Sequence, residues 1–158
     1  MADVFTREKR SEVMSKIRGR GNKDTEVVLA KLLRLRGITG WRRHQLLFGK
    51  PDFSFREHKL AVFVDGCFWH LCPKHSNLPV NNRTFWNGKL TANKLRDRLV
   101  TLTLRKKGWR VIRIWEHDLT GRPERCVNRI ATALERVHQQ PHENSGAGLK
   151  ETASIHLR

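Results

Sequence analysis

Residues 62–75 read VFVDGCFWHLCPKH. An apolar run that starts at Leu60 ends in Asp65 and Gly66, the way a buried strand gives way to a turn. Two cysteines, two histidines and two large aromatics then fall within nine residues, Cys67 to His75, without helical or strand period. Aromatics beside thiols and imidazoles belong to a core, a metal site or a ligand surface. The flanking sequence says what kind of sheet delivers them.

Upstream, residues 52–55 form a short strand and 57–59 the tip of a hairpin that joins it to residues 60–64. Residues 41–48 read as a strand with basic side chains (Arg42, Arg43, His44), followed by a Gly49-Lys50-Pro51 turn. Before it, Val27, Val28, Leu29, Leu32, Leu33 and Leu35 give a wide apolar helical face ending at Gly37. Asn22 or Asp24 caps that helix, with Glu26 in its first turn. Residues 6–17, carrying Val13, Met14 and Ile17 among charges, suit a short helix broken at 19–22. Downstream, residues 67–82 are a loop. Residues 84–107 form a helix with apolar Phe85, Leu90, Leu95, Leu99, Leu102 and Leu104 and a dense basic face. Residues 109–115 alternate as a strand, and 123–138 form a last helix with Val127, Ile130, Ala131, Leu134 and Val137 inward. A hairpin followed by a helical crossover implies a mixed sheet with helices on its faces, an α/β layer fold. The divisions are a basic N-terminal helix (1–20), a main domain (21–139) and a polar, aperiodic tail (140–158) expected to be disordered.

The chain has 158 residues, with 32 Lys and Arg against 15 Asp and Glu, a net charge of +17 and a pI near 11.0. Charge of that size repels itself unless a polyanion screens it, which points to nucleic acid. No apolar run reaches the about 18 residues of a membrane span, and the N-terminus lacks a signal peptide's apolar region, so a cytoplasmic protein is expected. Three cysteines in a reducing compartment indicate metal ligation or core thiols. No long exposed apolar stripe is legible, which makes a monomer the expectation.

Asp52 opens one hairpin strand and Asp65 closes the other, so the two carboxylates lie side by side as a site for a hard cation such as Mg2+. Glu26 is a third candidate, and His70 a candidate base. The plainer reading makes Pro51-Asp52 and Asp65-Gly66 turn residues. Cys67, Cys72 and His75 form a C-x4-C-x2-H pattern. His117, Cys126 or His70 could complete a tetrahedral Zn2+ site, His117 being favoured because it follows a strand. Phe68 and Trp69 in the loop, and Trp86 at the next helix, either cover the core or act as wedges between bases. Trp41, Trp109 and Trp115 are assigned to packing.

Taken in order, Pro51-Asp52-Phe53, VDGCFWHLCPKH (64–75), RTFW (83–86), KLRDR (94–98) and GWRVIRIWEHDL (108–119) resemble the very-short-patch mismatch repair endonucleases, over about residues 8–138. The resemblance implies a restriction-endonuclease-like PD-(D/E)XK core: a three-layer α/β fold with a mixed sheet and a structural zinc loop. It also implies an enzyme that nicks one DNA strand 5′ of the thymine in a T:G mismatch left by deaminated 5-methylcytosine. Asp52 and the Val64 carbonyl then hold Mg2+, His70 activates water and Glu26 supports the site. Cys67, Cys72, His75 and His117 hold structural Zn2+, and Phe68, Trp69 and Trp86 intercalate. Arg18, Arg20, Arg42, Arg43, Lys94 and Arg98 contact phosphates, with the 1–20 helix embracing the duplex. Some members carry Thr-His where this chain has Val64-Asp65. Asp65 therefore adds a candidate Mg2+ ligand, and Cys67 stands where the superfamily has a lysine. A cytosine-5 DNA methyltransferase is the implied functional partner, with mismatch-repair proteins beside it and a location at the bacterial nucleoid. The rivals are a nicking nuclease of other specificity tied to a restriction-modification system, and a non-catalytic mismatch-binding module.

Overall fold

The computed structural model describes residues 25–75 and 78–135. Strand β3 (Leu60–Asp65) is its axis. Successive side chains of a strand point to opposite faces, and here Leu60 and Val62 are buried on one face and Ala61 and Phe63 on the other. A strand apolar on both faces needs a layer over each. Over the first face lie Leu29 and Leu33 of α1 (Glu26–Leu35) and Cys126, Val127 and Ile130 of α4 (Pro123–Glu135). Phe53 and Phe55 of β2 (Phe53–Phe55) and Ile114 of β4 (Arg110–Trp115) join that core. Over the second face, α2 (Arg83–Lys106) lays Val100 and Leu104 on Ala61 and Phe63. The result is three layers, helix on sheet on helix.

The sheet order is β1-β2-β3-β4, with β1 (Trp41–Arg43) at one edge. The β1–β2 and β2–β3 pairs are antiparallel and β3–β4 is parallel. A parallel pair cannot be closed by a tight turn, and α2 is the crossover. Asp65 sits opposite Trp115, so β3 and β4 end level and release their following segments at one edge.

Three expectations change. The strand expected over 41–48 pairs only at Trp41–Arg43, because β2 offers three partners and His44 and Lys50 take left-handed backbone (φ 51° and 52°). The short helix α3 (Glu116–Gly121) was not expected, so His117 lies in a helical first turn rather than free beyond a strand. On α2 the apolar count misleads: Phe85, Leu95, Leu99 and Leu102 are exposed. The inward stripe is Trp86, Leu90, Asn93, Asp97, Val100 and Leu104, which keeps the helical spacing only when its polar members are counted. The exposed leucines form an apolar stripe of the kind the monomer argument took to be missing. Residues 6–17 and 19–22, the caps Asn22 and Asp24, Arg18 and Arg20, residues 136–138 and the tail 140–158 lie outside the described residues.

Gly49 locks the segment after β1 onto α2. Its φ is 78°, and an added Cβ would lie 2.2 Å from Cγ1 of Val100. Gly49→Ala is expected to destabilise the fold by about 2–4 kcal/mol in urea unfolding. In a Val100→Ala background Gly49→Ala should cost less than in the wild type, since the two closest clashes go while the backbone strain and a 3.1 Å contact to the residue-100 Cβ stay.

Candidate active site and metal cluster

A cleft of about 650 Å3 opens where β3 and β4 end, and Glu26, Asp52, Asp65, Asp97 and Glu116 line it together with His70, Lys50, Arg96 and Arg113. Five carboxylates in one partly buried space repel one another unless cations or hydrogen bonds answer each. Glu26, at the start of α1, is buried and meets Arg43 Nη2 at 2.5 Å and His44 Nε2 at 3.5 Å. Asp52 stands where β2 begins, and its Oδ2 accepts the Val64 N–H at 2.7 Å. No Lys, Arg or His pairs with Asp52 among the described residues. Burial, then the charges of Glu26 and Asp65, push its carboxyl up to about 7 despite the amide bond. The structure thus brings Asp52, Val64 and Glu26 together, as the sequence led us to expect.

Asp65 shares the cleft, but both its oxygens are occupied. Oδ2 accepts from Arg113 Nε at 2.6 Å and Oδ1 from Nη2 at 2.7 Å. His70 places Nδ1 2.5 Å from Asp97 Oδ2, so Nδ1–H donates to a carboxylate and Nε2 is left for the cleft. Burial alone would lower the His70 pKa, but the Asp97 bond and the charges of Asp65 and Asp97 outweigh it and hold it above the ordinary value. Burial would raise Asp97, and His70 and Arg113 more than offset that, so its pKa is lowered. Asp97, Arg113 and Glu116 escaped sequence reasoning. The available signal was a lone acid on the inward stripe of α2 and an arginine in the apolar alternation of β4.

Cys67, Cys72, His75 and His117 gather with their ligand atoms within 4.8 Å of one another. Cys67 Sγ lies 3.2 Å and Cys72 Sγ 3.5 Å from His117 Nδ1, and Cys72 Sγ lies 3.7 Å from His75 Nδ1. A tetrahedral ion with bonds of about 2.0–2.3 Å separates its ligand atoms by roughly 3.3–3.8 Å, so the set fits a four-coordinate metal. Asp118 sits 3.6 Å from the other nitrogen of His117, a position that can fix the ring. Burial, with Cys72 alongside, pushes the Cys67 thiol up, so a thiolate there calls for a cation. Of the other candidate ligands, Cys126 is buried in the main core and His70 belongs to the cleft. Leu71 separates the two sites: its left-handed backbone (φ 50°) reverses the chain between His70 and Cys72.

Phe68 packs edge-on against Trp69 and Trp86, with centroids 5.1 and 5.5 Å apart. Phe68 and Trp69 are half-buried and line the cleft, whereas Trp86 is buried beneath them. Arg42, Lys94 and Arg98 are exposed. Trp41 packs on Phe53 and Trp109 on the second core, as assigned, while Trp115 stacks on His117.

Residues 2–76 match the family model described as DNA mismatch endonuclease Vsr. The DNA mismatch endonuclease Vsr of Escherichia coli (strain K12) is 34% identical over 162 residues, which cover 99% of each chain. The type II nicking enzyme V.NmeDIP of Neisseria meningitidis serogroup C is 37% identical over 84% of this chain and 90% of its own. The type II nicking enzyme V.NaeI of Lentzea aerocolonigenes is 43% identical over 59% of this chain, which spans about half of that enzyme (52%). The protein is therefore a DNA endonuclease, a hydrolase of phosphodiester bonds, an activity that implies a divalent metal. This chain belongs to the Vsr family of DNA mismatch endonucleases. No described helix is long and apolar enough to cross a membrane.

The Asp52 shift sets a pH dependence. A carboxyl whose folded pKa is raised binds its proton more tightly when folded, so stability is lost as pH rises from about 4 to about 7. In Mg2+-free buffer Asp52→Asn should stabilise the protein by about 1–3 kcal/mol at pH 8 and by little at pH 4. Added Mg2+ should raise the melting temperature of the wild type at pH 8 and not that of the variant. A destabilised Asp52→Asn at pH 8 would refute the assignment.

Proposed function

We propose that this protein nicks one strand of duplex DNA 5′ of the thymine in a T:G mismatch, with Mg2+ in the cleft and Zn2+ in the Cys/His cluster. Asp52 carries the reading: a half-buried acid with no cation partner among the described residues, in one cleft with a histidine whose Nδ1 is anchored. Helix, three antiparallel strands, crossover helix and parallel strand make an order that supports a PD-(D/E)XK, restriction-endonuclease-like core. Asp52 and the Val64 carbonyl hold the divalent ion, with Glu26 behind them. The bound ion neutralises charge on the phosphate and acidifies water beside it. His70 Nε2 accepts the proton of the attacking water, Asp97 holds the ring, and one phosphorus–oxygen bond of the backbone breaks as the new one forms.

Phe68 and Trp69 stand at the cleft mouth as wedges, with Trp86 as their support. A mismatched step costs less to unstack than a paired one, which favours the T:G site. Arg42, Lys94 and Arg98, with Arg18 and Arg20, fit phosphate contacts. The reading extends DNA contact to the basic segment 1–20, which lies outside the described residues. The reading takes the enzyme to act as a monomer. A cytosine-5 DNA methyltransferase supplies the base whose deamination creates the substrate. Mismatch-repair proteins and a place on the cytoplasmic nucleoid complete the setting. The similarity to type II nicking enzymes favours a flanking-sequence preference tied to a restriction-modification system.

The test is strand-specific cleavage of a labelled duplex with one T:G pair, beside its C:G control. Expected is a single Mg2+-dependent nick 5′ of the mismatched thymine, absent from the control and reduced by about 10^3-fold or more in Asp52→Ala. Equal cutting of both duplexes would remove the mismatch from the reading, and binding without cutting would leave a recognition module. For the cluster, the purified protein should contain one zinc per chain by elemental analysis. Cys72→Ala should lose the metal and become sensitive to proteolysis within residues 66–75. Full zinc content in that variant would place the metal elsewhere.

A further inference from the structure

We infer that Asp65 and Arg113 form a brace that positions His70, and that Asp65 is not a ligand of the catalytic cation. What His70 does rests on the reading above; the brace itself rests on geometry. Asp65 and Arg113 stand on neighbouring strands and project to the α2 side of the sheet, with Phe63 and Val111 behind them. Asp97 meets them from α2, one turn before Val100. The Arg113 guanidinium makes a two-pronged contact with Asp65 at 2.6 and 2.7 Å. Its Nη2 also meets Asp97 Oδ1 at 2.8 Å. The other oxygen of Asp97 takes Nδ1 of His70 at 2.5 Å. Two ion pairs and one hydrogen bond thus run from the end of β3 to the imidazole, whose Nδ1 also lies 3.8 Å from Asp65 Oδ1 itself.

The planar fork is what makes Asp65 a brace and not a ligand. A bidentate guanidinium faces both carboxylate oxygens along their in-plane lone pairs, where a hard cation would bind. To ligate with both oxygens Asp65 would have to release Arg113, and to ligate with one it would have to hold a second positive charge against the guanidinium cation. That cation is held 4.9 Å from the centre of the Phe63 ring, and its Nη1 is already buried without an acceptor. Freed from Asp65, it would keep only Asp97 as an acid partner while a second cation entered beside it. Asp52 has no such commitment. The division of labour follows: Asp52 faces the cation, and Asp65 faces the arginine that fixes the acid behind the base. Lysine cannot reproduce the fork, so the design is specific to arginine at 113.

Asp65→Asn, Arg113→Met, Arg113→Lys and the Asp65→Asn/Arg113→Met double variant test this in the zinc-loaded full chain. Single-turnover nicking of the T:G duplex should fall by about 10–100-fold in Asp65→Asn and in Arg113→Met, and the double should resemble the worse of the two, because they break one unit. Affinity for the duplex should change by less than about threefold, so the effect lies in the rate and not in binding. Mg2+ binding followed by calorimetry without DNA should weaken less than about tenfold in Asp65→Asn and be lost in Asp52→Asn. In 15N spectra the hydrogen-bonded Nδ1–H of His70 should shift in Arg113→Met. Arg113→Lys, which keeps the charge and guards against loss of fold, should restore the rate only in part. Loss of Mg2+ binding in Asp65→Asn as complete as in Asp52→Asn would make Asp65 a ligand and overturn the inference. So would an unchanged rate and an unchanged His70 signal in Arg113→Met. If the wild type nicks no T:G duplex, the functional reading fails, while the Mg2+ and His70 measurements still decide the brace.

Discussion

Like charge gathered in a low-dielectric cleft is the constraint to which the rest of this structure answers. Five carboxylates line one opening, and Glu26 and Asp65 are almost fully buried. Uncompensated, that arrangement would unfold the domain or hold the acids protonated. The chain meets each acid from a different element: Arg43 of β1 takes Glu26, Arg113 of β4 takes Asp65 and Asp97, and the amide of Cys67 donates to Glu116. Asp52, like Glu116, receives an amide and no cation among the described residues, and Asp52 is the acid whose proton is held near neutrality.

The strand alternation then explains why the site is where it is. Leu60 and Val62 face the α1 and α4 layer while Ala61 and Phe63 face α2. Carried two residues on, the second face presents Asp65, and the same phase on β4 presents Arg113. The polar cluster is the open end of the second core, in which an ion-pair layer follows an apolar one. This placement makes the cluster rigid, since each member sits on a strand or on the inward stripe of a helix.

Much of this was legible in the sequence, and the failures have physical reasons. The layer order, the hairpin that brings Asp52 and Asp65 together and the parallel final strand followed from periods and breakers. The Cys67, Cys72, His75 and His117 group was legible as one of several ligand sets, and only the fold separates His70 and Cys126 from it. The inward stripe of α2 does not follow from its apolar residues, because the helix turns half-buried Asn93 and Asp97 inward and exposes Leu95 and Leu99. Asp65 was readable as an acid near the metal but not as the partner of Arg113, because the pairing joins residues 48 apart across a crossover. Spacing within a segment announces ligands; partners brought together by the tertiary fold leave little trace in any one segment.

The loop after β3 couples the two sites by construction. Gly66 to His75 sends His70 to the acidic cleft and Cys72 and His75 to the thiol-imidazole cluster, with Leu71 held in left-handed backbone between them. Such a conformation costs about 1 kcal/mol or more for a residue with a side chain, so it persists where its surroundings impose it. On one side the imposing contact is the Asp97 carboxylate, and on the other the cluster into which Cys72 is drawn. Glu116 adds a third tie by accepting the Cys67 N–H while its own helix carries His117. A loop with little core of its own cannot hold an imidazole to hydrogen-bond accuracy by packing alone. Closing it at the cluster removes the chain entropy that would otherwise blur the His70 position. A metal held at the cluster would therefore act on the cleft without touching it, by fixing how often His70 stands where Asp97 can hold it.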